Sequence, residues 1–197
     1  MKPTDQETSK LVRSWQRAHG LEPDGIFGPK TRESLFASEG MSSVMSAIIA
    51  HARVDIGQHE IGKNGGKYVR GLRELCGFPV DADGAWCAIF VSAMLHMSTA
   101  PNTPCRLSRG AYRMGKNIAE CNSGRYISDP GPGFGIWKRK GWERNRSAHI
   151  RIILSYDAAT ETIWYIAGNE RGRVRYAGMQ RKQWERDLLF FCTLDDV

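Results

Sequence analysis

The sequence has no apolar run long enough to span a bilayer. Its longest, Ala85 to Met97, is broken by Ser92 and His96, and a membrane helix needs roughly 20 such residues, so no membrane insertion is expected. The opening MKPTDQETSK holds no apolar stretch that could serve as a secretory signal, so synthesis in the cytoplasm without a signal peptide is expected. The five cysteines, Cys76, Cys87, Cys105, Cys121 and Cys192, include no C-x-x-C pair. Their odd number argues against a disulfide framework and against structural zinc, leaving free thiols and no metal or other cofactor. The glycine-rich GQHEIGKNGGKYV lacks the Lys-Ser/Thr ending of a phosphate-binding loop. Acidic residues are in deficit, 21 against 28 basic ones for a net charge of +7, with basic clusters at Lys138–Lys140, Arg144–Arg146 and Arg171–Arg175. A polyanionic partner and a merely solvated basic surface both fit that balance. No nucleic-acid-binding motif accompanies the charge, so nucleic acid is not expected as a partner.

What is present is the composition of a folded chain: 197 residues, 41% hydrophobic and 25% charged. That suffices for one domain of ordinary size and a small appendage. The appendage reads as residues 1–38. Leu11, Val12, Trp15 and Ala18 follow helical spacing, and Gly20 stands where a helix stops. Pro23-Asp24-Gly25 and Gly28-Pro29 form turns, and Thr31–Phe36 reads as a second short helix. Packing of Trp15, Ile26, Phe27 and Leu35 into a very small core is expected. The segment resembles the repeat of peptidoglycan-binding modules through Trp15, Gln16, Gly20, Leu21, Asp24, Gly25, Ile26, Phe27, Gly28, Pro29 and Thr31. That resemblance implies a wall-binding role for Trp15, Gln16, Asp24 and Phe27, although only about half of the usual module is present.

The small polar stretch ASEGMSS follows, and a linker is drawn at residues 39–43. From 44 to 197 the pattern runs from helices to strands. Helices are expected over Val44–Val54, Tyr68–Cys76 and Trp86–Met97. Strands are expected at His149–Ser155, from Thr162 through TIWYIAG, at Arg173–Tyr176 and at Leu188–Leu194. Helices first and antiparallel strands afterwards is the order of an α+β domain.

Within DGAWCAIFV, Cys87 has two readings. Cys87, Phe90, Val91, Met94 and Leu95 share one helical stripe, which makes the cysteine core. Asp83-Gly84 supplies a cap or turn just upstream, which puts Cys87 in the first helical turn, where the helix dipole favours a thiolate. A nucleophile needs a base. His96 lies about 13 Å along the same helix and is too far, whereas His149 opens a strand that must pack beside that helix. A hairpin centred on Ala159 pairs positions whose numbers sum to about 318, which sets Asn169 opposite His149 as the residue that orients the imidazole, with Glu170 as the fallback. In that arrangement Cys87 attacks an amide carbonyl, and its own backbone N–H helps to hold the oxyanion.

WCAIFV, AHIRIIL and IAGN resemble the Cys, His and Asn blocks of papain-like cell-wall hydrolases of the CHAP and NlpC kind, as found in phage endolysins. HEIGKNGG, His59 to Gly66, is similar to the E-x-G-x-N opening of one branch of that group. The resemblance implies a papain-like cysteine amidase or peptidase domain over 44–197, with Cys87, His149 and Asn169 catalytic. It also implies that Glu60, Asn64, Trp86 and Trp137 meet substrate, with Trp142 a further aromatic candidate. Peptidoglycan is the implied partner, and a monomer is expected. The protein would act on the cell wall after release through a pore, as a phage endolysin does, or after injection as an antibacterial effector. A decayed wall-binding protein is the alternative. Ala148-His149-Ile150-Arg151 departs from the family's Gly-His-Val-Gly, GPGFGIW lacks the acid of the usual Gly-Asp start, and Ala167 stands where many members have Glu.

Overall fold

The computed structural model describes residues 3–36, 41–139 and 148–196. Ala37 and Ser38 at the end of the appendage, Glu39 and Gly40 of the expected linker, Lys140, Trp142 and Arg144–Arg146 lie outside those residues, as does the side chain of Leu35. The order of elements is α1 (Pro3–Ala18), α2 (Pro29–Phe36), α3 (Ser43–Val54), α4 (Gly66–Leu75), α5 (Cys87–Thr99), α6 (Ala111–Ala119), β1 (Gly124–Ile127), β2 (Gly133–Lys138), β3 (Ala148–Asp157), β4 (Thr162–Ala167), β5 (Arg175–Gln180), α7 (Arg181–Asp187) and β6 (Leu188–Leu194). The strands form one sheet in the order β1-β6-β2-β3-β4-β5, and every neighbouring pair is antiparallel. This is the expected α+β class.

Strand alternation divides the sheet between two apolar layers. Ile150, Ile152 and Leu154 of β3 join the large core beneath the helices. Ile153 turns the other way, into a smaller cluster with Trp137, Tyr165, Trp184 and Phe191. Strand β4 is buried along its whole length because both of its faces are covered.

Helix α5 is the centre of the helical layer and touches α3, α4, α6, β3 and β4. A single buried stripe is the sequence expectation. Instead every residue from Cys87 through Leu95 is buried, because Ala88, Ile89, Ser92 and Ala93, on the remaining faces, are apolar or small enough to pack against those neighbours. The lone hydroxyl in that run is satisfied: Ser92 Oγ donates to the Ser108 carbonyl at 3.1 Å and accepts from the Ser108 N–H at 3.3 Å.

The N-terminal segment corrects one expectation. It does not pack around a small core of its own, since Val12 and Trp15 are buried in the same cluster as α5 and the sheet. Trp15 meets the ring of Trp164 edge-on at 6.0 Å, and Phe27 stacks on Tyr176 at 3.6 Å. Ile26 remains 64% exposed. About thirty residues enclose too little apolar surface alone, and the sheet supplies the rest. The expected linker also ends early. Ser42 caps α3 by accepting from the Met45 N–H at 3.2 Å, and its hydroxyl donates to the Leu194 carbonyl at 2.6 Å. Ser43, the first residue of α3, donates from N–H and hydroxyl to Asp196 Oδ1, each at 2.7 Å.

Candidate active site

Helix α5 begins at Cys87 itself, with Trp86 at the capping position and no side-chain cap bond. Asp83-Gly84, expected as a cap or turn, is the turn, with Gly84 at φ 121°, and Cys87 falls in the first helical turn as expected. Trp86 is fully buried, and its indole N–H donates to Glu60 Oε2 at 2.7 Å. The same oxygen accepts the Asn64 N–H at 3.1 Å. Asn64 adopts φ 55°, and its side-chain oxygen accepts from Asn169 Nδ2 at 3.2 Å. The backbone joins the same two loops: the Glu60 N–H donates to the Gly172 carbonyl at 2.8 Å. These contacts fix the start of α5 against the turn that follows β4.

Cys87 and His149 come together. Both are almost wholly buried, at 2% and 4% exposure. Burial pushes the Cys87 thiol upward, but the charge and hydrogen bond of the His149 ring, joined by the Ile150 backbone N–H, bring it below its ordinary value. Burial opposes the His149 charge in turn, and the facing thiolate and Glu170 outweigh it, so the imidazole is held above its ordinary value. Each shift favours the charged form of its group, thiolate on one side and imidazolium on the other. Nε2 of the ring lies 3.1 Å from Glu170 Oε2, which leaves Nδ1 for the sulfur. Nδ1 is buried and forms no aligned hydrogen bond of its own.

The residue that meets the far side of the His149 ring is Glu170, the fallback of the sequence expectation, and not Asn169. The expected register holds at the end of the ladder away from the hairpin turn, where Ile152 pairs with Ile166 and Ile153 with Tyr165, both summing to 318. Past an irregularity between Ile153 and Ser155, the sum toward the hairpin turn becomes 319. At the other end β4 stops at Ala167, and Asn169 has φ 59°. The chain leaves the sheet before Asn169 can stand opposite His149. Asn169 turns to Asn64, and the next residue brings its carboxylate to the ring. Burial raises the Glu170 carboxyl, but the His149 hydrogen bond and the charges of Arg151, His149 and Arg139 bring it to about 2. Arg151 Nη2 donates to the same Oε2 at 3.3 Å, while its guanidinium lies 4.8 Å from the ring centres of both Trp137 and Tyr165. The bulk that departs from the expected glycine is thus a held cation that anchors Glu170.

The proposed substrate contacts fare differently. Trp86 and Trp137 are buried, and the Trp137 indole N–H donates to the Trp184 carbonyl at 2.9 Å. Neither ring offers a face for stacking. Glu60 and Asn64 are engaged with Trp86 and Asn169 rather than lining the cleft. Cys87 itself lines a cavity of about 1090 Å³ that also contains Ala148, Arg106, Arg109 and Arg113. His149 and Glu170 line a second cavity, of about 730 Å³, with Arg151 and Tyr165. Among the described residues no group of His, Cys, Asp and Glu is arranged to hold a metal ion.

In the N-terminal segment Gln16, 2% exposed, is the hub of the turn. Its Nε2 donates to Asp24 Oδ1 at 2.7 Å, the Ile26 carbonyl at 3.1 Å and Thr31 Oγ1 at 2.9 Å, while its Oε1 accepts the Gly25 N–H at 2.9 Å. Asp24 Oδ1 also accepts the Ile26 N–H at 2.7 Å. The motif holds its own backbone in shape. Residues 3–35 match the family described as "Putative peptidoglycan binding domain". The match supports association with the cell wall and points to peptidoglycan as the partner. Within the segment Trp15 and Gln16 are buried and Phe27 half-buried, stacked on Tyr176, while Asp24 and Ile26 are exposed. No curated protein matches the chain.

Proposed function

We propose that the chain is a peptidoglycan amide hydrolase of papain-like arrangement, with Cys87 as nucleophile, His149 as general base and acid, and Glu170 as the residue that orients the imidazole. The observation that carries the reading is the Cys87–His149–Glu170 line, buried at the cysteine and histidine and half-buried at the glutamate, whose middle member joins a depressed thiol to a depressed carboxyl.

The Cys87 thiolate attacks the amide carbon, and the electron pair moves to the carbonyl oxygen. That oxygen is met by the Cys87 backbone N–H, which has no intrahelical acceptor because it begins α5. Collapse of the intermediate breaks the C–N bond as His149 gives its proton to the leaving amine. Water, deprotonated by the now neutral His149, then hydrolyses the thioester and restores the thiolate–imidazolium pair. Glu170 keeps the ring in one orientation and stabilises its positive form. Both an N-acetylmuramoyl-L-alanine amidase and a peptide-bridge endopeptidase fit this chemistry, and the peptidoglycan-binding segment supports the wall as the place of action. A lytic protein stored in the cytoplasm and released through a pore, or injected into a competitor, is the setting we propose.

The test is release of soluble fragments from purified sacculi. Wild-type protein solubilises them with new amino groups appearing, and Cys87→Ala, with unchanged circular dichroism, does not. Equal lysis by that variant removes the mechanism.

A further inference from the structure

The cavity onto which Cys87 opens is walled by cations that the hydrolytic mechanism does not use. Arg106 and Arg109 lie on the loop before α6, and Arg113 and Lys116 follow on the helix. Arg106, Arg109 and Arg113 are exposed, and none forms an ion pair among the described residues. Lys116 is paired with Glu120 at 3.1 Å. Arg73, in the same wall, is only 3% exposed. It donates to the carbonyls of Val80 at 3.0 Å and Asn64 at 3.1 Å, and its buried Nε has no partner. A guanidinium so deep without a carboxylate leaves a positive potential for whatever enters. Among the described residues the acids in the lining are Asp83 and the already paired Glu120.

The loop is held in place as well as charged. The Ser92–Ser108 bonds tie it to α5, the Gly110 N–H donates to Ser108 Oγ at 3.1 Å, and Asn117 Nδ2 donates to the Arg106 carbonyl at 2.6 Å. A fixed backbone lowers the entropy lost when its side chains engage a ligand.

We propose that this cavity is a carboxylate-selecting subsite, in which Arg106, Arg109 and Arg113 bind the free carboxylates of an acidic peptide whose amide lies at Cys87. The assignment of a peptide to the cavity rests on Cys87 being an amide-cleaving nucleophile. Guanidinium groups match carboxylates with paired N–H donors. A cavity of about 1090 Å³ holds a few residues of peptide and not a nucleic-acid duplex. Of cell-wall stems, those with an unmodified D-glutamyl carboxylate are therefore preferred over those amidated to D-isoglutamine.

The probes are the tetrapeptide L-Ala–γ-D-Glu–meso-diaminopimelate–D-Ala and its D-isoglutamine counterpart, titrated calorimetrically into the full chain carrying Cys87→Ala. The acidic peptide binds at least tenfold more tightly. Arg109→Gln and Arg113→Gln, both at exposed positions, each reduce its affinity about tenfold and reduce that of the amidated peptide, which keeps two carboxylates, by less, while Arg113→Lys retains most of the preference. Equal affinity for the two peptides, or equal losses for both in the Gln variants, overturns the proposal. So does poly(glycerol phosphate) that binds more tightly than the acidic peptide and displaces it. Sacculus hydrolysis by the Cys87 protein is scored separately. A preserved carboxylate preference without hydrolysis supports the subsite and overturns the enzymatic reading instead.

Discussion

Glu170 Oε2 reaches His149 Nε2 at 3.1 Å from a position where the chain has already left the sheet. Its neighbour Asn169, with φ 59°, bonds to Asn64 across the adjoining loop. Two consecutive residues thus divide two tasks, one orienting the imidazole and the other holding the loop.

Exchange at these neighbours separates the tasks. Glu170→Gln lowers kcat on sacculi by about 10²- to 10⁴-fold, the range associated with loss of acid–base positioning, while Asn169→Ala loses less than about tenfold. Steady-state rates with matched circular dichroism make the comparison. A larger loss at Asn169 than at Glu170 would reverse the assignment.

The pH dependence follows from directions of opposite sign in the central pair. The thiolate forms as pH rises through the lowered Cys87 value, and the imidazolium is lost as pH rises through the raised His149 value. The kcat/KM profile is a bell whose acid limb lies below the ordinary thiol range and whose alkaline limb lies above about 6.5. Iodoacetamide near neutral pH marks Cys87 ahead of Cys76 and Cys105, each of which burial pushes up to about 12. His149→Ala slows labelling of Cys87 at least tenfold, as read by peptide mass mapping.

Acid stability reports on Glu170. Its folded value, about 2, lies below the ordinary carboxyl value of about 4.5. Its stabilisation is complete above the unfolded value and fades as pH falls toward the folded one. Wild type therefore exceeds Glu170→Gln by on the order of 2–3 kcal/mol at pH 7, and urea denaturation shows the two converging near pH 2.

A methyl group at residue 168 tests the seat of α5. A Cβ on Gly168 would meet Phe90 Cβ at 2.5 Å and Trp86 at 2.9 Å. Gly168→Ala forces β4 and the helix start apart, with a loss of about 1–3 kcal/mol by the usual scale of overpacking. It also lowers activity more than the change in folded fraction explains. Unchanged melting temperature and activity would show that the helix start tolerates the displacement.

The docked N-terminal segment gives the fifth expectation. Trp15→Ala removes a ring, 5% exposed, that packs on Trp164, and destabilises the chain by about 3–5 kcal/mol. Urea unfolding stays a single transition in both proteins. A separate early transition for residues 3–36 would contradict the shared core.

Much of this was legible beforehand where local chemistry dominates. Periodicity located α3, α5, β3 and β4, and β6 matches its expected bounds of Leu188–Leu194. The meeting of Cys87 and His149 followed from a helix start and a strand start that had to pack together. The third residue was harder to foresee, because a register argument describes the ladder and not where it ends; Asn169-Glu170-Arg171-Gly172, with turn formers at both ends, was the available signal. Arg151 looked like an intrusion because its resting place between Trp137 and Tyr165 depends on β2 and β4 lying either side of β3. Helix α6 and its arginines went unread. Their apolar spacing through Ala111, Met114, Ile118 and Ala119 was visible, but nothing local placed them beside a cysteine more than twenty residues upstream.

The helix that presents the sulfur is enclosed on every side, and this divides what can change. A substitution anywhere from Ala88 to Leu95 disturbs folding before it alters chemistry, so the nucleophile stands on ground that selection can scarcely remodel. Novelty in what the proposed enzyme cleaves must then come from the rim, where Arg106, Arg109 and Arg113 are exposed, and a library aimed at new substrates belongs at those positions.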